Sequence, residues 1–205
     1  MRRRRRLPRP WRGFHLVELA VALSVLLLGA AIALPGLLRW SAELRVELAA
    51  REMIGALRTA RSLAIQRGVN VALKLIEHAD GRVEYAIYAD GDGDGVRNRD
   101  IESGVDPQVV PPHPLSYLGS QVGFGFPPGP LPRDPGDPRR RLRQPHDPIR
   151  FNRSNLASFN PLGGSTPGSL YLTDHRHHLM AVRLLGVTGK VRLLRYQPRA
   201  QTWRQ

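Results

Sequence analysis

Three aspartates at alternate positions, Asp90, Asp92 and Asp94, each followed by glycine, are the most chemically suggestive residues in the chain. In a tight loop this spacing sets carboxylates on one side. Gly95 at the sixth position permits the sharp turn that ligation of a hard cation such as Ca²⁺ requires. A full calcium loop of this kind ends in a bidentate Glu where the chain has Ile101, so Asp100 or Glu102 would have to substitute. Together these five carboxylates repel one another unless something neutralises them. The same residues also make an ordinary Asp/Gly hairpin loop without metal. No cofactor is required on either reading, and Ca²⁺, if bound, is structural and not catalytic.

His175, His177 and His178 form the second cluster. Imidazoles ligate transition metals, but this spacing lacks an evident closing acid, and a strand or turn would point two of the rings apart. A loop-tip cluster without metal is expected. The chain has no cysteine, which removes disulfides, thiolate nucleophiles and Cys-bearing zinc sites. No nucleophile elbow, phosphate loop or paired-carboxylate pattern occurs elsewhere, so an enzyme is not expected.

Both clusters fall in a region of short β-like runs. Val69 to Ile76 and Val83 to Tyr88 flank Asp80-Gly81, a hairpin signal, and similar runs lie at Ser169 to Thr173, Leu179 to Leu185 and Lys190 to Tyr196. Gly186 and Gly189 mark turns between the last runs. Between Asp106 and Pro148 proline and glycine dominate, with Pro127-Pro128-Gly129-Pro130 and the arginine run 139–143. Such a stretch sustains neither a helix nor a central strand and is expected as a long surface loop or partly disordered insertion.

The amino-terminal part obeys other rules. Leu16 to Leu38 is an apolar run in which Glu18 is the only charge. As a helix it measures about 34 Å, enough to cross a bilayer core of roughly 30 Å. It is also longer than the apolar stretch of a conventional signal peptide. Seven arginines precede it (Arg2 to Arg6, Arg9 and Arg12), which sets the N-terminus in the cytoplasm and the rest outside. Their removal would halve the formal charge of +14 and weaken the case for nucleic acid that so basic a chain otherwise makes. The helical pattern continues beyond the apolar run: Leu44, Leu48, Met53, Ile54, Leu57, Ala60, Ala64 and Ile65 alternate with charges. One helix from about Phe14 to Arg67 is expected, stopped at Gly68. Pro35 should bend or loosen it locally. Glu18 is costly in an apolar span unless it snorkels to the interface or pairs with a neighbouring subunit.

Gly13-Phe14-His15-Leu16-Val17-Glu18 and the apolar run ending Ala33-Leu34-Pro35 closely resemble the cleavage signal of type IV prepilins and type II secretion pseudopilins. The family usually has threonine or serine where this chain has His15. The resemblance implies that a prepilin peptidase cuts between Gly13 and Phe14 and methylates Phe14. It also implies that Glu18, at the fifth mature position, pairs with the N-terminal amine of an adjacent subunit. Leu57, Ala60-Arg61, Ala64 and Arg67 are similar to the helix ending of the GspH/FimT subgroup. The stretch 169–174, Ala181-Val182-Arg183 and Gly189-Lys190-Val191-Arg192 are similar, more loosely, to its C-terminal strands and turn.

Residues and resemblance together predict an α+β, pilin-like fold, in which a long N-terminal helix packs on an antiparallel β-sheet domain. The expected segments are a cleaved basic leader 1–13, a transmembrane segment 14–38, an amphipathic continuation 39–68 and a periplasmic β-rich domain 69–205 holding the 106–148 loop. By resemblance the chain is a minor pseudopilin, anchored by a single pass in the bacterial inner membrane before assembly near a pseudopilus tip. Its implied partners are the prepilin peptidase, other pseudopilins or pilins, the inner-membrane assembly platform and the secreted substrate. The alternative is a FimT-like minor pilin of a type IV pilus that binds DNA through Lys190, Arg192 and Arg195. A membrane-tethered hydrolase with calcium in its loop is the remaining rival.

Overall fold

The computed structural model of the protein describes residues 16–80, 82–119, 121–152 and 154–205, so the leader, the Gly13–Phe14 pair and His15 lie outside the described residues. Helix α1 spans Leu16–Arg67. The chain divides into two compact units at Ser41 and Ala42.

In the first unit every described residue up to Trp40 is solvent-exposed in the isolated chain, including Leu19, Leu23, Leu26 and Ile32. An apolar surface all round a helix has no place in water, and this helix is long and apolar enough to cross a membrane. Its hydroxyls are turned inward on the backbone. Ser24 Oγ donates to the Ala20 carbonyl at 2.8 Å and Ser41 Oγ to that of Leu38 at 2.9 Å, so neither needs water. The helix runs on through Pro35.

The second unit opens with the rest of α1, whose buried residues are Val46, Ala49, Ala50, Met53, Ile54, Ala56, Leu57, Ala60 and Ala64. The buried stripe therefore differs from the one expected. Leu44 and Ile65 are exposed and four small or β-branched residues replace them. The alanines supply the reason, because a helix face free of bulk lets the sheets come close.

Two antiparallel sheets receive that face. The first has the order β3-β2-β1-β8, where β1 is Val71–Glu77, β2 Val83–Ala89, β3 Gln108–Pro114 and β8 Leu156–Phe159. The expected hairpin pairs Val71 with Ala89 through to Glu77 with Val83. The second has the order β12-β11-β10-β9-β4, with β7 also on β9. Its strands are β4 Gly123–Phe124, β7 Ile149–Arg150, β9 Gly168–Thr173, β10 Leu179–Leu185, β11 Lys190–Gln197 and β12 Thr202–Arg204. Alternation along its strands sorts side chains onto two faces. Leu170, Leu172, Met180, Val182 and Leu184 join α1 and the first sheet in the main core. Tyr171, Leu179, Ala181 and Leu194 build a second, smaller core on the other face with Leu142. Burial pushes the Tyr171 phenol up to about 12, and the nearby Asp134 carboxylate adds to this.

The 106–148 stretch corrects the expectation of a surface loop. It contributes the edge strand β3, the short β4 and a ribbon of β5 (Arg133–Asp134) with β6 (Asp137–Arg141). It also sends Leu115, Leu118 and Val122 into the main core and Leu142 into the second. Proline is tolerated because β3 is an edge, where a missing N–H breaks no inner ladder. The backbone N–H groups of Ser116 and Tyr117 donate to the Glu52 carboxylate of α1 at 2.8 and 3.1 Å, tying the stretch to the helix.

Candidate functional site

The acidic loop begins where β2 ends. Asp90 N donates to the Asn70 carbonyl at 2.9 Å, which carries the first ladder one step past the strands. The Asp90 side chain, only 9 % exposed, accepts from Gly93 N at 2.8 Å, Gly95 N at 2.9 Å and Asn70 Nδ2 at 2.8 Å. Burial works to raise its pKa, but these donors outweigh it and hold the carboxyl below its ordinary value. Gly93 and Gly95 have φ of +89° and +93°, the left-handed geometry that folds their N–H groups back onto Asp90.

Asp106 closes the loop from its far end, accepting from Gly91 N at 3.1 Å and Arg97 N at 2.9 Å. Sequence reasoning missed Asp106, which reads as the start of a proline-rich stretch, and also missed Asn70 and Arg97 as partners. Arg97 pairs with Asp94. The exposed Asp94 carboxyl nevertheless stands above its ordinary value, through partial loss of hydration and the nearby Asp92 and Asp100.

Of the five carboxylates, Asp90, Asp92 and Asp94 come together, with oxygens within 4.8 Å of one another. Asp100 and Glu102 do not join them. Both sit on a short helix α2, Asn98–Ser103, where Asp100 is buried against Arg99 and Glu102 is exposed. Binding each through one oxygen, three carboxylates would leave backbone carbonyls and water to complete the six to eight ligands that Ca²⁺ takes. The mutual repulsion is met here by backbone N–H groups, Asn70, Arg97 and Arg99.

Two of the three histidines, His177 and His178, are organised by an acid after all. Asp174 accepts from the backbone N–H groups of Arg176, His177 and His178 at 3.0, 2.8 and 2.9 Å, and its other oxygen lies 2.7 Å from His178 Nδ1. Burial pulls the Asp174 carboxyl up, but His178 and the three backbone donors outweigh it and hold it at about 2. The acid therefore builds the turn between β9 and β10. His175 packs elsewhere, under Gly123, where a Cβ would come within 2.9 Å of its Nε2.

The two stretches similar to the GspH/FimT subgroup meet in space. Arg61 Nε donates to the Gly163 carbonyl at 2.9 Å, and that same carbonyl faces Gly189, where a Cβ would lie only 2.1 Å away. Gly189 also has φ +59° and donates its N–H to the Leu185 carbonyl at 2.8 Å. The glycine is thus required by both turn and packing.

Lys190, Arg192 and Arg195 do not form the single stripe expected of a phosphate-binding strand. Arg192 shares a face with Leu194, whereas Arg195 lies on the opposite face and is paired with Glu43 and, at 3.1 Å, with Glu47 on α1.

The family described as type II transport protein GspH matches residues 49–188, from the buried half of α1 to the turn after β10. No curated protein and no solved structure matches the chain.

Proposed function

The chain belongs to the GspH family of type II transport proteins, and from that membership we propose that it is a minor pseudopilin of a type II secretion system, joining the pseudopilus through α1 near its tip. The observation that carries this reading is the division of labour along α1. Residues 16–38 expose apolar side chains on every side, while the stretch from Val46 to Ala64 is committed to the core of the domain. A surface that neither water nor its own unit can satisfy is available first to lipid and then to the helices of other pseudopilins.

On this reading the prepilin peptidase cuts between Gly13 and Phe14 and methylates Phe14. The inner membrane then holds the chain with its N-terminus in the cytoplasm and its sheets in the periplasm, until the assembly platform moves it into the filament. Glu18 sets register by meeting the N-terminal amine of a neighbour, an ion pair strong in a medium of low dielectric. The role is structural, with no catalysis by the chain itself.

The test is a photocrosslinking residue at Leu23 in cells that carry the rest of the system. The expected product is an adduct with another pseudopilin, lost on Glu18→Ala. A protein that inserts normally and yields no such adduct overturns the proposal.

A further inference from the structure

The ribbon of β5 and β6 does not close on the second sheet along its whole length. Between them lies a groove of about 710 Å³, within the range of built ligand sites. Four arginines line it: Arg133 from the ribbon, Arg183 from β10, Arg192 from β11 and Arg199 before β12, with Leu194 and Trp203 as apolar wall.

Two features say that an anion belongs there. Arg183 and Arg192 are direct partners across the β10–β11 ladder and both point into the groove. Like charges directly opposite destabilise a sheet. Asp134 offsets this only in part: its Oδ1 forms an ion pair with Arg183 Nη1 at 3.7 Å, one carboxylate against two facing guanidinium groups. Second, the fold keeps room for the charge. A Cβ at Gly136 would fall 2.3 Å from the Arg183 guanidinium, so with glycine in the ribbon turn that flexible head group keeps its place without shifting.

We infer that this groove takes an extended acidic peptide segment of a partner protein, its carboxylates on Arg133, Arg183, Arg192 and Arg199 and its apolar side chains on Leu194 and Trp203. The pseudopilin reading enters only in choosing a protein as the source of the anion. Carboxylates suit the planar guanidinium forks. Nucleic acid fits less well, because Trp203 is not free to stack on a base. Its ring packs against Tyr171 and Tyr196 at 6.0 and 5.1 Å, and its Nε1 donates to the Arg133 carbonyl at 2.7 Å.

The experiment is fluorescence anisotropy on the full chain in nanodiscs, with a labelled peptide of alternating Glu and Leu, its Lys/Leu counterpart and a labelled oligothymidylate. The Glu/Leu peptide should bind, weaken with added salt, and weaken by about tenfold in R183Q/R192Q and again in R199E, whose site lies in an exposed turn. It should be unchanged in R139Q/R140Q, on the ribbon outside the groove. Equal binding by wild type and both groove variants overturns the inference, as does an oligothymidylate that binds more tightly than the peptide and depends on the same arginines. Crosslinking at Leu23 is read on the same variants. Peptide binding lost with the adduct intact separates the groove from assembly, and no peptide binding by wild type with the adduct intact overturns the groove alone.

Discussion

Asp174 condenses the chemistry of its turn into one carboxylate that accepts three backbone N–H bonds and faces His178. Its folded-state pKa is depressed, from an ordinary value near 3.8 to about 2. A depressed carboxylate contributes stability that is present above the unfolded value and is lost as pH falls through the folded one. The protein should therefore lose up to about 2 kcal/mol between roughly pH 4 and pH 2, in addition to the general effect of its charges. Asp174→Asn should flatten that part of a pH titration of melting temperature, and an unchanged slope in the variant would rule the assignment out. The acid was hidden in the sequence because its partners are mostly backbone groups, which carry no residue label. The acidic loop shows the same blindness: alternate aspartates announced a charge cluster, while Asp106 and Asn70, which settle much of it, come from segments read for other reasons.

At the scale of elements, legibility followed periodicity. The 3.6-residue pattern of α1 and the short β-like runs of β1, β2, β9, β10 and β11 between turn residues are strong signals: α1 ends at Arg67 as expected, its expected start at Phe14 lying outside the described residues, and the strands lie within a residue or two of those runs. The proline-rich segment was opaque because edge strands pair on one side only and need not alternate, so β3 and the ribbon leave little trace. Helix α1 was read in kind but rotated in detail, since its closest contacts use alanines that a hydrophobicity pattern underweights. The seam between α1 and the β10–β11 turn offers an element-scale test. Gly189→Ala puts a Cβ against the Gly163 carbonyl and a left-handed φ on alanine. It should cost about 2 kcal/mol or more, seen as a lowered melting temperature with near-native circular dichroism. A variant as stable as wild type would mean that Arg61 and Gly163 do not hold the turn as described.

For the whole molecule, a single chain reconciles two solvents. The first unit presents a helix long and apolar enough to cross a bilayer, and the second packs its sheets on the remainder of α1 around apolar cores of its own. Membership of the GspH family fits that pairing, and on the proposed reading the chain is stored in a membrane and then extracted into a fibre. Whether this chain enters that route turns on one bond, between Gly13 and Phe14. The most direct test is the intact N-terminal mass of the protein coexpressed with a prepilin peptidase, beside a Gly13→Leu control. The account predicts a mature chain starting at methylated Phe14, absent in the control; a chain that keeps its arginine leader in both would contradict it and leave α1 a simple membrane anchor.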